Sequence, residues 1–385
     1  MSNSGSKILV IGSGNFGSCL ADHLAECRES GKTDDTPTPH HHQVCLYSRD
    51  SDTVKLMNAE QRNPKYLKDH HFAKSLKTIG PEFPATEFLD ECDVIVSAVP
   101  TKALRTTLEL LNLNALKKTP LMVFVNKGIE LGTLALPIEV IKDVCGEKIA
   151  QESTFLSGPS FASEIIRRQP TQVTVASFSA DHANATSKLF HQPYFRCYPN
   201  LDPIGVELAG AFKNVYAIAS GVAAGLGYES NTRAGLVTRG LAEMTRIGVS
   251  RGAQPITFLS LAGVGDIFLT CSSEKSRNYT VGYRLGKGET LEHVLQTLGS
   301  VAEGVETAKS GWMLVKNSGV DAPILEHVYK LLWEGEKASD LAAALMSRPM
   351  VYENVGMITP TGSEVNLHSR NTSSSNLNST HGTST

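Results

Sequence analysis

Lys213 stands in the middle of the apolar run "VELAGAFKNVYAIASG", which begins at Val206. On a helix its neighbours one turn away are Ala209, Gly210, Tyr216 and Ala217, so no acid on its own element can pair with it. A lysine deprived of water in such a cleft loses part of the stability of its charged form. Its pKa falls toward the range in which it can give up and recover a proton. The same spacing also suits an exposed lysine whose stem covers apolar surface.

A second group of reactive types lies further on, in "LAGVGDIFLTCSSEKSRNYTVGYRLG". Asp266 and Thr270 are spaced to share one face of a helical turn, and Arg277 with Asn278 opens the next amphipathic stretch. An arginine and an amide at a helix start, beside free backbone N–H groups and the positive dipole end, suit a phosphate ester. Each also has an ordinary reading: a surface cation, a backbone-bonded hydroxyl, a helix cap. Apolar "LSLAG" and "IFL" enclose the group and favour a site.

Together these residues outline the reduction of a phosphorylated ketone. Gly12, Gly14 and Gly17 upstream point to a dinucleotide cofactor that would supply hydride, and the forming alkoxide needs a proton. Lys213 would be the acid in reduction and the base in oxidation. Asn214, Lys127 and Asp266 would polarise and orient, and Arg277 with Asn278 would anchor a phosphate away from the reacting carbon.

The elements needed to position them are legible upstream. "KILVIGSGNFGSCLADHLAE" joins an aliphatic strand to Gly12, Gly14 and Gly17 and then to a periodic helical run. Strand, glycine turn and helix in that order make a dinucleotide site, with the pyrophosphate at the helix N-terminus. The next strand is "QVCLYSR", Gln43 to Arg49, delayed by a polar insertion at about 29–42. At its end Ser48, Arg49 and Asp50 stand where an acid often holds the ribose 2′-hydroxyl. Arg49 could stack on adenine or meet a 2′-phosphate, which leaves NAD(H) and NADP(H) both open.

Further strands start near Asp93, Leu121 and Thr171, with amphipathic helices between them. This alternation predicts an α/β doubly wound, mainly parallel sheet. Pro100 and the Asn126-Lys127-Gly128 run fall just past strand ends, on the edge where ligands bind. In "LSGPSFASEI" the Gly-Pro-Ser turn starts a helix, with Ser160 as a possible cap and Ala162 in its first turn, where backbone could face a nicotinamide. From Gly205 to about residue 347 the chain reads as helices only, with breaks near Glu229, Gly252, Ser273, Gly288 and Gly319. The expected organisation is a dinucleotide-binding Rossmann-like domain over 1–200, an all-helical substrate-binding domain over 201–350, and a disordered Ser/Thr/Asn-rich tail over 362–385.

Composition narrows the classes. A net charge of −3 and a pI near 6.5 give no basic field for nucleic acid, and no apolar run approaches a membrane span. Seven scattered cysteines without a Cys-x-x-Cys pair fit reduced thiols, with neither disulfide nor structural zinc expected. His40 to His42 read as a loop rather than a metal site. Residues 1–6 lack the pattern of a transit peptide, the chain does not end in Ser-Lys-Leu, and the glycosylation-like "NTS" and "NST" read as chance, so a cytoplasmic location is expected.

Beyond single motifs, the chain resembles the NAD(P)-dependent glycerol-3-phosphate dehydrogenases, particularly the bacterial-type branch. The resemblance rests on "GSGNFG", "VSAVP", "NKGIE", "SGPSFASEI", the long run around "AGAFKN", "GVGDIFLTC", "SRN" and "VAEGVETAK", in order from about Lys7 to Arg348. It implies a Rossmann-like domain joined to a helical one, a homodimer, and interconversion of dihydroxyacetone phosphate with sn-glycerol 3-phosphate, feeding glycerophospholipid synthesis. It further implies Lys213 as the catalytic lysine, with Lys127 and Asp266 in the active site. Gly158, Asn214, Thr270, Arg277 and Asn278 would bind substrate. Gly12, Ser13, Gly14, Asn15, Phe16 and Gly17 would hold the pyrophosphate, and Arg49, Pro100, Lys127, Ala162, Arg277 and Glu303 would complete the cofactor site. Glu303 stands where some members carry glutamine. The rival readings are another lysine-using two-domain dehydrogenase, against which "SRN" and the motif order weigh, and a cofactor-binding sensor without turnover, which would be expected to have lost Lys213.

Overall fold

Short runs of aliphatic residues build one eight-stranded sheet: β1 Lys7–Ile11, β2 Gln43–Tyr47, β3 Lys77–Ile79, β4 Val94–Ser97, β5 Leu121–Phe124, β6 Thr154–Ser157, β7 Thr171–Ala176 and β8 Phe195–Asn200. In this computed structural model the described residues are 5–26, 42–299 and 301–348; the insertion at 29–42, apart from His42, and the tail at 362–385 lie outside them. The strands run in the order β3-β2-β1-β4-β5-β6-β7-β8, parallel throughout except for the antiparallel β6–β7 pair. Strand order therefore reverses at β1, which lies between β2 and β4 with Leu9 opposite both Cys45 and Ile95. A crevice opens at such a switch point on the carboxyl side of the strands.

Five of these strands are expected from the sequence; β3, β6 and β8 are not. β3 has only three residues. β6, "TFLS", runs straight into the Gly-Pro turn that dominates its sequence signal. β8 carries Pro199 and a mostly solvent-facing pattern, both tolerated because it has a neighbour on one side only.

The glycine turn leads into helix α1, Asn15–Ala25. Past the sheet the chain is helical, and the helices that build the site are α2 Pro203–Gly225, α3 Ser230–Ser250, α4 Asp266–Ser272, α5 Arg277–Gly286, α6 Glu303–Val315 and α7 Pro323–Trp333. α2 starts on Pro203 after Asp202, whose carboxylate accepts the Gly205 N–H at 2.9 Å. It is buried on nearly every side, being wedged between the sheet and the other helices. Its Leu208, Phe212 and Val215 share one core with Ile95, Phe124 and Phe155 of the sheet, so the two halves pack directly on each other.

α5 crosses α2 at backbone distance. A Cβ at Gly282 would stand 1.9 Å from the Ile218 carbonyl oxygen, and one at Gly221 would stand 2.1 Å from that of Tyr279. Two buried acids serve as caps on other helices. Glu207 of α2 accepts the Ile138 N–H, and Glu243 of α3 accepts those of Ile324 and Leu325 at the start of α7. Among the described residues no helix is long and apolar enough to cross a membrane.

Candidate active site

The acid missing from Lys213's own helix comes from α4. Lys213 Nζ donates to Asp266 Oδ1 at 2.6 Å and to Thr270 Oγ1 at 2.9 Å, and Lys127 Nζ reaches Asp266 Oδ2 at 2.9 Å. One carboxylate thus bridges two ammonium groups, one from the loop after β5 and one from α2. Lys213 is 7% exposed and Asp266 1% exposed. Thr270 also donates to the Asp266 carbonyl, which fixes its hydroxyl.

Burial pushes the Lys213 ammonium down to about 8; Asp266 opposes this and Lys127 adds to it. For Asp266 burial acts upward, but the two ammonium groups prevail and hold its carboxyl below the ordinary range. The proton on Lys213 is thus held less firmly than on a free lysine.

A line of amides stands beside it. Asn278 Nδ2 donates to Asn214 Oδ1 at 2.9 Å, and the Gly304 N–H at the start of α6 donates to Asn278 Oδ1 at 3.0 Å. The carbonyl ends of both side chains are therefore occupied. Asn214 is left with N–H groups, one making only a long 3.4 Å contact to Gly210. Arg277 opens α5 behind the Ser276 cap, is exposed, and forms no salt bridge among the described residues. Glu303 opens α6, and its carboxyl is raised by burial against the opposing Arg277 charge and the Thr101 N–H. Gly158, at φ +140°, is confined by β7, since a Cβ there would stand 3.0 Å from the Val173 Cα.

Opposite this cluster, the turn from β1 to α1 has one open side. Gly12, at φ +114°, and Gly17 are closed in: a Cβ at Gly17 would lie 1.9 Å from the Gly12 carbonyl oxygen, while one at Gly14 meets nothing within 4 Å. A space over exposed backbone at a helix start fits a pyrophosphate. Side-chain oxygens of Asn15, Thr101, Asn126 and Ser157 are buried without a partner, and all four residues sit at the carboxyl edge of the sheet. A polar ligand at that edge fits residues left in this state.

The structure brings Phe16 into the first turn of α1, Pro100 to the exposed end of the loop after β4, and Ala162 to the start of a short helix whose carbonyl faces Cys19 of α1. Ser13 Oγ donates to Ser48 Oγ at 2.8 Å. Asp50 is not free for a ribose, because it caps the helix Ser51–Glu60 through the Thr53 N–H at 2.6 Å. Arg49 is exposed just past β2. Asn63 is absent from the sequence reading: it is 1% exposed, and its Nδ2 binds both the Ser13 carbonyl and Ser18 Oγ. A lone Asn-Pro in a polar stretch reads only as a turn.

A glycine-turn sheet with a buried lysine and carboxylate at its carboxyl edge, closed by a helical body, defines a two-domain nicotinamide-dinucleotide dehydrogenase. Residues 7–183 match the N-terminal model, and residues 202–343 the C-terminal model, of NAD-dependent glycerol-3-phosphate dehydrogenase. The chain belongs to that family. It is 39% identical over 350 residues to the glycerol-3-phosphate dehydrogenase [NAD(P)+] of Limosilactobacillus reuteri, covering 90% of this chain and 99% of the relative. It is 40% identical over 343 residues to that of Staphylococcus haemolyticus, covering 89% and 98%. The crystal structure of glycerol-3-phosphate dehydrogenase from Coxiella burnetii superposes with a TM-score of 0.79 at 31% identity, over 89% of this chain and 99% of that one.

Proposed function

We propose that Lys213 is the proton donor with which this NAD(P)-dependent glycerol-3-phosphate dehydrogenase reduces dihydroxyacetone phosphate to sn-glycerol 3-phosphate, and the proton acceptor in the reverse direction. The supporting observation is the triad of Lys213, Asp266 and Thr270, in which burial lowers the lysine to about 8 while the carboxylate keeps it oriented.

Gly12, Ser13, Gly14, Asn15, Phe16 and Gly17 would hold the cofactor's pyrophosphate, Arg49 its adenosine end, and Pro100, Ala162 and Glu303 its nicotinamide half. When bound, the reduced cofactor supplies the hydride. Lys213 Nζ holds the proton destined for the carbonyl oxygen. Lys127 and the free N–H of Asn214 stabilise the charge growing on that oxygen, and Asp266 keeps both ammonium groups aimed at one point. Arg277 neutralises the substrate phosphate, with the remaining Asn278 N–H and the backbone at Gly158 beside it, so that binding at a remote group places the reacting carbon.

The working units are residues 1–200 and 201–350, a division supported by the family matches over 7–183 and 202–343. The product supplies glycerophospholipid synthesis, the reading that accompanies the family resemblance, and the expected location is the cytoplasm. The same resemblance supports a homodimer, as does exposed apolar surface at Ile256, Leu259 and Phe268, which are 66%, 64% and 67% exposed. Purified protein given dihydroxyacetone phosphate should consume NADH or NADPH, followed by loss of their near-ultraviolet absorbance in separate runs. If both cofactors bind and neither is oxidised, the assigned reaction is wrong. Light scattering behind size exclusion checks the dimer.

A further inference from the structure

A second ion pair joins the short helix that begins at Ala162 to the turn that leads into Arg277. Lys275 Nζ, in the turn before α5, lies 2.6 Å from Glu164 Oε1, in the short helix Ala162–Ile165. The same ammonium stands 6.0 Å from the centre of the Phe161 ring, at the start of that helix. The turn is braced on both sides. Its Ser276 N–H bonds to the Ser273 carbonyl, the Lys275 N–H to Ser273 Oγ, and Thr280 Oγ1 to the Glu274 carbonyl. A pull on Lys275 is therefore transmitted to Ser276 and Arg277 rather than lost in a slack loop. On the other bank, Glu164 is two residues from Ala162.

We propose that Lys275 and Glu164 form a strap across the mouth of the site, holding the phosphate-binding start of α5 against the Ala162 helix so that Arg277 stands ready for substrate. The strap rests on the placement of substrate phosphate at Arg277 argued above. Both residues are positioning residues, which touch neither substrate nor cofactor. The ammonium side chain is 52% exposed and the carboxylate 29% exposed, so the pair contributes little to the stability of the fold. Its effect belongs to substrate affinity, where a small bias toward the closed arrangement adds directly to binding.

The test exploits an opposition of sign. If the two charges acted only through the field at the phosphate dianion, Lys275→Met would raise KM for dihydroxyacetone phosphate, Glu164→Gln would lower it, and the double variant would sit between them. A strap makes both single variants raise KM, by about two- to fivefold at low salt, the range of an exposed ion pair. The double variant should then be no worse than the weaker single one, because the second change removes a contact already lost. kcat should stay within about twofold and KM for NADH unchanged, and the ratio of variant to wild-type KM should fall toward one at high salt. A fall or no change in KM for Glu164→Gln, or additive effects in the double variant, overturns the strap. Wild-type protein that oxidises NADH with some other ketone but not with dihydroxyacetone phosphate would instead overturn the substrate reading beneath it.

Discussion

The glycine turn over β1 and the ammonium–carboxylate cluster on α2 and α4 handle charge in opposite ways. The turn offers backbone: nothing projects over Gly14, and the flanking Gly12 and Gly17 are small because neighbouring carbonyls leave no room. The cluster offers side chains from three distant segments, forced into one buried spot where each charge depends on the others. A backbone site is written in a few adjacent letters and fails by steric intrusion. A side-chain site is scattered through the sequence and fails by loss of a partner.

The largest effect expected from breaking this contrast is Gly17→Ala. Its Cβ would collide with the Gly12 carbonyl at 1.9 Å, a backbone contact that cannot be relieved by rotating a side chain. NADH affinity, measured by fluorescence titration, should drop by about 100-fold or more, the scale of a cofactor seat lost rather than weakened. Lys213→Ala is the converse: turnover falls at least about 100-fold while NADH binds nearly as before. If either variant disturbs both properties equally, the two regions do not act separately.

The two regions also differ in their response to pH. Because the ammonium is lowered to about 8, kcat/KM for reduction should fall as pH rises through that value, when the acid form is lost. Oxidation of glycerol 3-phosphate should rise over the same interval, since it needs the neutral amine. The Asp266 carboxylate supports the charged lysine, so in Asp266→Asn the reductive limb should break at a lower pH. These limbs belong to the coupled cluster rather than to one residue. A pH profile in both directions reads them, and an unchanged break point in Asp266→Asn would detach the carboxylate from the proton transfer.

The smallest effect is expected at Arg49, just past β2. Arg49 is exposed and Asp50 is occupied as a helix cap. Arg49→Ala should reduce the use of NADPH by about fivefold or less and leave NADH almost untouched, as an exposed ion pair would. Equal loss with both cofactors would place the arginine on the adenine instead.

Legibility in the sequence divides along the same line. Gly12, Gly14 and Gly17 announce themselves because turn, strand and helix are contiguous. Arg277 and Asn278 are visible as a helix start, and Lys213 as a cation in an apolar run. The pairing of Lys213 with Asp266 is not visible, because the pairing comes from the way α4 packs on α2 and no local rule carries it. The amide line through Asn214, Asn278 and Gly304 is hidden for the same reason, and with it the fact that the Asn278 carbonyl is already occupied. β8 is missed because an edge strand can accept a proline and polar faces that a central strand would refuse.

The close crossing of α2 and α5 has a consequence for how variation is tolerated. Gly221, Gly225, Gly282 and Gly286 each meet the other helix's backbone within 3 Å of where a Cβ would stand, and one of those helices carries Lys213 while the other begins at Arg277. The spacing between Lys213 and the start of α5 is thus gauged by bare main chain against main chain, with no side chain available to absorb an error. In a saturation library selected for growth on this activity, these four positions should be depleted of substitutions as severely as the lysine itself, although none of them carries a functional group.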